Sequence, residues 1–90
     1  MSYRLEIDSD AERKLRKLSS ELRQRVRPIL FGLTENPRPH NGRRLKGGGA
    51  KEGWRVRVGK LRILYWIDEN QGSIVIYDID DRGRVYKDRS

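Results

Sequence analysis

Cysteine is absent from this 90-residue chain, histidine occurs once, and methionine and phenylalanine occur once each. Without cysteine there is no disulfide framework and no thiolate metal site. One histidine, His40, cannot build a histidine-based zinc cluster, and its place between Pro39 and Asn41 suits a solvated loop. No metal site is therefore expected. No apolar run approaches the roughly 18 residues needed to span a membrane, and no signal-peptide core is recognisable, so the cytoplasm is the default expectation. Apolar residues are also scarce, at 34% against 38% charged, which limits the core to one small domain over residues 1–90.

What the chain has in excess is positive charge, and it is unevenly placed. The net charge is +8. Residues 1–36 hold 8 basic and 6 acidic groups, residues 37–66 hold 9 and 1, and residues 67–90 hold 4 and 6. The surplus is a central block, and a block of that kind favours a polyanionic partner and speeds encounter with it.

Alternation in "YRLEID" (3–8) predicts a half-buried strand. Ser9 and Glu12 have capping-box spacing, so a helix should start there with Ala11, Leu15 and Leu18 as its apolar stripe. "SSE" (19–21) can cap a second helix that buries Leu22, Val26, Ile29, Leu30 and Leu33. Pro28 conflicts with that helix interior and predicts a kink. "ENPRP" (35–39) ends the helix, and residues 37–53, with three consecutive glycines, read as a long loop. Strands follow at about 53–59, 61–68 and 73–80. The expected fold is α+β, in the order β-α-α-β-β-β: a two-helix hairpin on one face of a small, largely antiparallel four-stranded sheet.

The stretch "RVRVGKLRILYW" sets the register of that sheet. Gly59-Lys60 suits a two-residue type II′ turn with glycine first. Val58 then faces Leu61, Arg57 faces Arg62, Val56 faces Ile63 and Arg55 faces Leu64. Trp54, Val56, Val58, Leu61, Ile63 and Tyr65 share the core side, while Arg55, Arg57, Arg62, Leu64 and Trp66 share the other. Directly opposed like charges destabilise a sheet. An anion between the guanidinium groups would turn the repulsion into charge-assisted hydrogen bonds. The competing explanation is an edge hairpin kept soluble by charge.

These residues resemble the RelE/ParE superfamily of toxins, specifically its RelE branch. The resemblance runs from "YRLEI" to "RVYKD". It rests on Leu45 with Gly47, on Trp54, Arg55, Arg57 and Gly59, on Arg62 with Tyr65, and on Arg82, Val85 and Tyr86. It implies the toxin of a type II toxin–antitoxin pair. Such a toxin is a ribosome-dependent endoribonuclease that cuts mRNA in the ribosomal A site and so inhibits translation. The cut is metal-free, with no cofactor: the ribose 2′-hydroxyl attacks the adjacent phosphorus, leaving a 2′,3′-cyclic phosphate and a 5′-hydroxyl.

The resemblance assigns Arg57 and Arg62 to the scissile phosphate, with Arg55 beside them and Arg82 closing the cluster. Arginine suits that task because it is always charged and its forked donors match phosphate oxygens. Tyr86 matches the family's C-terminal tyrosine, as a base or a stacking surface, or else packs an ordinary terminal strand. Asp81 departs from the family's Gly-His-Arg pattern. It could accept the 2′-hydroxyl proton or pair with Arg82, and it would repel RNA phosphate. Arg43, Arg44, Lys46 and Lys51, together with Arg13, Lys14, Arg16 and Lys17, would grip ribosomal RNA, or simply solvate the surface.

Implied partners are a cognate acidic antitoxin, the small-subunit rRNA of the ribosome and mRNA, with operator DNA reached only through the antitoxin; no membrane partner is expected. Two other readings stay open. One is a ParE-like toxin that inhibits DNA gyrase; the other is a catalytically weak relative that binds RNA or antitoxin.

Overall fold

The computed structural model describes residues 2–48 and 51–81. Elements run β1 (Arg4–Ile7), α1 (Ser9–Arg16), α2 (Ser20–Glu35), β2 (Arg43–Gly48), β3 (Lys51–Val58), β4 (Leu61–Asp68) and β5 (Ser73–Asp81). The strands form one sheet in the order β1-β5-β4-β3-β2. Four neighbouring strands are antiparallel, but β1 lies parallel to β5, with Leu5 beside Ile74 and Ile7 beside Ile76.

The sheet therefore has five strands where four are expected from the sequence. The additional one is β2, inside the stretch read as a loop. It escapes detection because "RRLKGG" has neither alternation nor β-branched residues, and pairing to β3 imposes its extended backbone. A bulge falls between Arg44 and Lys46, which leaves Leu45 as the extra, exposed residue.

Both helices are capped by side-chain oxygens. Asp8, one residue before the expected box, accepts from the Asp10 amide at 2.9 Å. Ser19 accepts from Leu22 at 3.2 Å. Pro28 lies inside α2, which runs unbroken to Glu35. The apolar stripe carries it through, because Val26, Leu30 and Leu33 are buried on both sides of the proline. Tertiary burial outweighs the roughly 3 kcal/mol that an interior proline costs.

The core lies between the helices and one face of the sheet. Ala11, Val26, Leu30 and Leu33 meet Val56, Val58, Leu61, Ile63, Tyr65, Ile67, Ile74, Ile76 and Ile79. Trp54 and Leu22 pack at its margin. Tyr65 is fully buried, and its hydroxyl donates to the Pro37 carbonyl at 2.7 Å. Burial holds that phenol well above its ordinary pKa.

A second clamp fixes the same segment from outside. Arg38 donates to Glu52 at 3.2 Å and to Glu69 at 2.9 Å, Trp54 Nε1 donates to Glu52 at 3.0 Å, and Tyr3 donates to Glu69 at 3.0 Å. Arg38 holds both carboxylates below their ordinary range. The path from α2 to β2 is thus tied to β3 and to the β4–β5 turn.

Candidate nucleic-acid interface

The β3–β4 hairpin positions the arginines. Gly59 has φ +61°, and no non-glycine residue among those described has positive φ. That is the type II′ pattern: glycine first, Lys60 second. The register follows as expected, with Val58 facing Leu61, Arg57 facing Arg62, Val56 facing Ile63 and Arg55 facing Leu64. In a two-residue hairpin the pair flanking the turn is hydrogen-bonded, so Arg57–Arg62 is the next, non-hydrogen-bonded pair. Pairs of that type have Cα atoms only about 4.5 Å apart and the closest side chains.

Arg57 is exposed, while Arg55 and Arg62 are half-buried. The Arg62 Nε is buried and has no hydrogen-bond partner among the described residues. A charged donor left unpaired beside a second guanidinium is costly in the free protein. It is also a donor aimed at no group of the described chain.

One further arginine joins this face and another lies at the hairpin tip. Arg43 on β2 faces Arg55, making a second opposed arginine pair on the same face. Arg25 of α2 reaches the hairpin tip: its guanidinium lies 3.6 Å from where a side chain on Gly59 would begin. Arg43 is among the residues expected to bind RNA, but its pairing with Arg55 depends on a strand that the sequence conceals. Arg25 is missed altogether, because nothing local links a helix position to a turn more than thirty residues later.

The remaining basic residues do not form one patch. Arg44 faces Trp54, on the helix side of the sheet, while Lys46 faces Gly53 and Lys51 faces both Gly48 and Asp68 at the far end of β3. Of the α1 cations, Arg13 pairs with Asp10 at 3.4 Å and Lys14 with Asp78 at 2.6 Å. The Arg16 carbonyl accepts from Arg23 at 3.1 Å. Arg13, Lys14 and Lys17 line a cleft of about 390 Å³ against Tyr77, Asp10 and Asp78.

On β5, Asp80 holds the register position opposite Arg62, and Asp81 the position opposite Leu61. The carboxylate set against the arginine face is therefore Asp80, one residue before the aspartate singled out from the sequence. Arg82 and Tyr86 lie outside the described residues. Along the same face run Leu64 and Trp66, and Trp66 stacks on Tyr77 with ring centroids 5.3 Å apart. Burial and the adjacent Asp78 raise the Tyr77 pKa, so its phenol stays neutral.

A cationic hairpin beside half-buried aromatic rings is an arrangement suited to phosphate and nucleobase contacts. Residues 5–86 match the model of the ParE toxin of the type II toxin–antitoxin system parDE. The putative toxin RelE1 of Methanocaldococcus jannaschii is 30% identical, over 97% of this chain and 98% of that protein. The archaeal RelE–RelB complex from Pyrococcus horikoshii superposes with a TM-score of 0.85 at 26% identity, covering 93% of this chain and 99% of that one. The RelBE2 toxin–antitoxin complex of Mycobacterium tuberculosis gives 0.75 at 27% identity, over 91% of this chain and 100% of that one. The chain is a RelE-type member of the RelE/ParE family of type II toxins.

Proposed function

We propose that this chain is the toxin of a type II toxin–antitoxin pair that cleaves mRNA in the ribosomal A site. The observation that carries this reading is the Arg57–Arg62 pair, opposed across the β3–β4 hairpin with the Arg62 Nε unpartnered among the described residues. A phosphodiester between the two guanidinium groups would relieve their repulsion and satisfy that donor. The two guanidinium groups would also place fixed positive charge where the phosphorane develops negative charge, worth roughly 3–4 kcal/mol of barrier per well-placed donor.

In this reaction the ribose 2′-oxygen attacks phosphorus, the P–O5′ bond breaks, and the 5′-oxygen leaves as a hydroxyl after gaining a proton. Arg57 and Arg62 hold the non-bridging oxygens, and Arg55 with Arg43 extends the cationic track. Arg82 and Tyr86 are carried over from the family pattern. An arginine, with a pKa above 12, is a poor proton shuttle, so proton transfer falls to Tyr86 or to an aspartate of the Asp80-Asp81 pair. The partner that silences this toxin is an antitoxin of the kind bound in the RelE–RelB and RelBE2 complexes, and an acidic one would gain on-rate from this chain's positive charge.

The test is to induce the chain in a bacterial host and map mRNA 5′ ends. Codon-phased cuts in translated messages that vanish in Arg62→Ala and Tyr86→Phe are expected, with poor cleavage of purified RNA lacking ribosomes. The ParE description of the matched family favours one other reading, inhibition of DNA gyrase. Intact mRNA with impaired supercoiling would select it.

A further inference from the structure

The stacked pair of Trp66 and Tyr77 is absorbed neither by the core nor by the arginine cluster. Both rings are half-buried; alternation along β4 puts Trp66 on the sheet face opposite the helices, and Tyr77 stacks on it. Trp66 follows Arg62 by four residues on β4, hence about 13 Å along the same face. A short single strand whose phosphate lay at Arg62 would reach it. The sheet departs from regular pairing to present Tyr77. Leu64 pairs with Asp78 and Tyr65 with Ile76, so Tyr77 is the extra residue of a bulge. That bulge turns Asp78 to Lys14 of α1 and leaves the Tyr77 ring over Trp66.

Beyond Tyr77 opens the cleft lined by Arg13, Lys14 and Lys17. Two of these cations are partly neutralised by Asp10 and Asp78, so the cleft is a weak anion site and the rings are the principal feature. The hairpin arginines lie to one side of the ring pair and the α1 cations to the other.

We propose that Trp66 and Tyr77 form a stacking platform for a nucleobase of single-stranded RNA, next to the phosphate held at Arg57 and Arg62, with the α1 cations flanking its backbone. RNA as the ligand rests on the function proposed above; the platform adds a base-binding position to it. Aromatic stacking is tolerant of base identity, so the platform adds affinity and register while leaving sequence choice to other contacts.

Fluorescein-labelled tetraribonucleotides, 2′-O-methylated to prevent cleavage, are titrated into the full chain by anisotropy. One carries bases and the other abasic riboses. The wild type is expected to prefer the base-bearing strand. Trp66→Leu, which keeps apolar cover but loses the ring, should weaken that strand about tenfold or more and leave the abasic one unchanged. Trp66→Phe should retain most of the preference, and thermal melts confirm that each variant is folded. Equal binding of both strands by the wild type, or equal weakening of both by Trp66→Leu, overturns the platform. So does a Trp66→Leu variant that loses antitoxin binding but keeps base preference, which would mark a protein contact instead. Cleavage is scored separately: mRNA cuts without base preference overturn the platform alone, and base preference without cuts overturns the nuclease reading alone.

Discussion

Replacing Arg57 by glutamine should make the free protein more stable and the toxin inactive. Glutamine keeps much of the stem and removes the charge. Arg57 sits opposite Arg62 in a non-hydrogen-bonded pair, where side chains are closest, and a like-charge pair there costs about 0.2–1 kcal/mol. For a domain of this size the gain corresponds to a rise in Tm of about 1–8 °C. Arg62→Gln should behave alike and also remove the Nε that has no partner among the described residues. The double variant should gain less than the sum, because the repulsion disappears only once. Salt supplies an internal control. Near 1 M the screening length falls to about 3 Å, so the wild type should close most of the gap to Arg57→Gln. Millimolar inorganic phosphate should raise the wild-type midpoint more than that of either variant. Thermal melts of the four proteins at low and high salt test all of this. A destabilised Arg57→Gln, a strictly additive cycle, or equal phosphate shifts in all four would refute the idea that these guanidinium groups are held apart for an anion.

Tyr65→Phe removes the only donor found for the buried Pro37 carbonyl among the described residues, and should cost about 1–3 kcal/mol in urea denaturation; an unchanged midpoint would mean that the hydroxyl is dispensable. Gly59→Ala meets the Arg25 guanidinium only at 3.6 Å, an ordinary contact, so its cost is that of the left-handed backbone, about 1–2 kcal/mol. Glu52 and Glu69 have depressed pKa values in the folded chain, chiefly through Arg38. Their contribution is therefore present above the ordinary carboxylate pKa near 4.5 and is lost as pH falls through the folded values. Stability should drop with acidification in that window, and Arg38→Met should flatten the slope; an unaltered slope would assign the acid sensitivity to other groups. Pro28→Ala, at an exposed position within α2, should stabilise the chain by up to about 3 kcal/mol, read as an upward shift of the urea midpoint.

How much of this was legible in the chain differs from element to element for physical reasons. The β3–β4 hairpin was readable to the residue, because a positive-φ glycine at a two-residue turn admits one register and strict alternation then assigns every side chain to a face. The helices are readable from their stripes, and α2 continues through Pro28 because its burial comes from tertiary contacts. Strand β2 was hidden because its extended form is imposed by a partner and not by its own composition. The family pattern points to Asp81, the residue before Arg82, whereas the register sets Asp80 opposite Arg62. The bulge at Tyr77 breaks the alternation that would have distinguished them, and a bulge leaves no mark in "IYDIDD".

The costs gathered on the open face point one way. The chain sets Arg57 against Arg62 and Arg43 against Arg55, buries the Arg62 Nε without a partner among the described residues, and interrupts β5 to seat Tyr77 on Trp66. Each is a local violation of what a small sheet needs for stability, in a domain with few apolar residues to offset them. A charged edge that merely prevents aggregation requires no facing arginines and no stacked rings. Consistent departures from local rules, confined to one face and lying opposite a well-packed core, are the pattern left by a binding surface. The salt and phosphate dependence of the arginine pair measures that surface directly, before any ribosome is added.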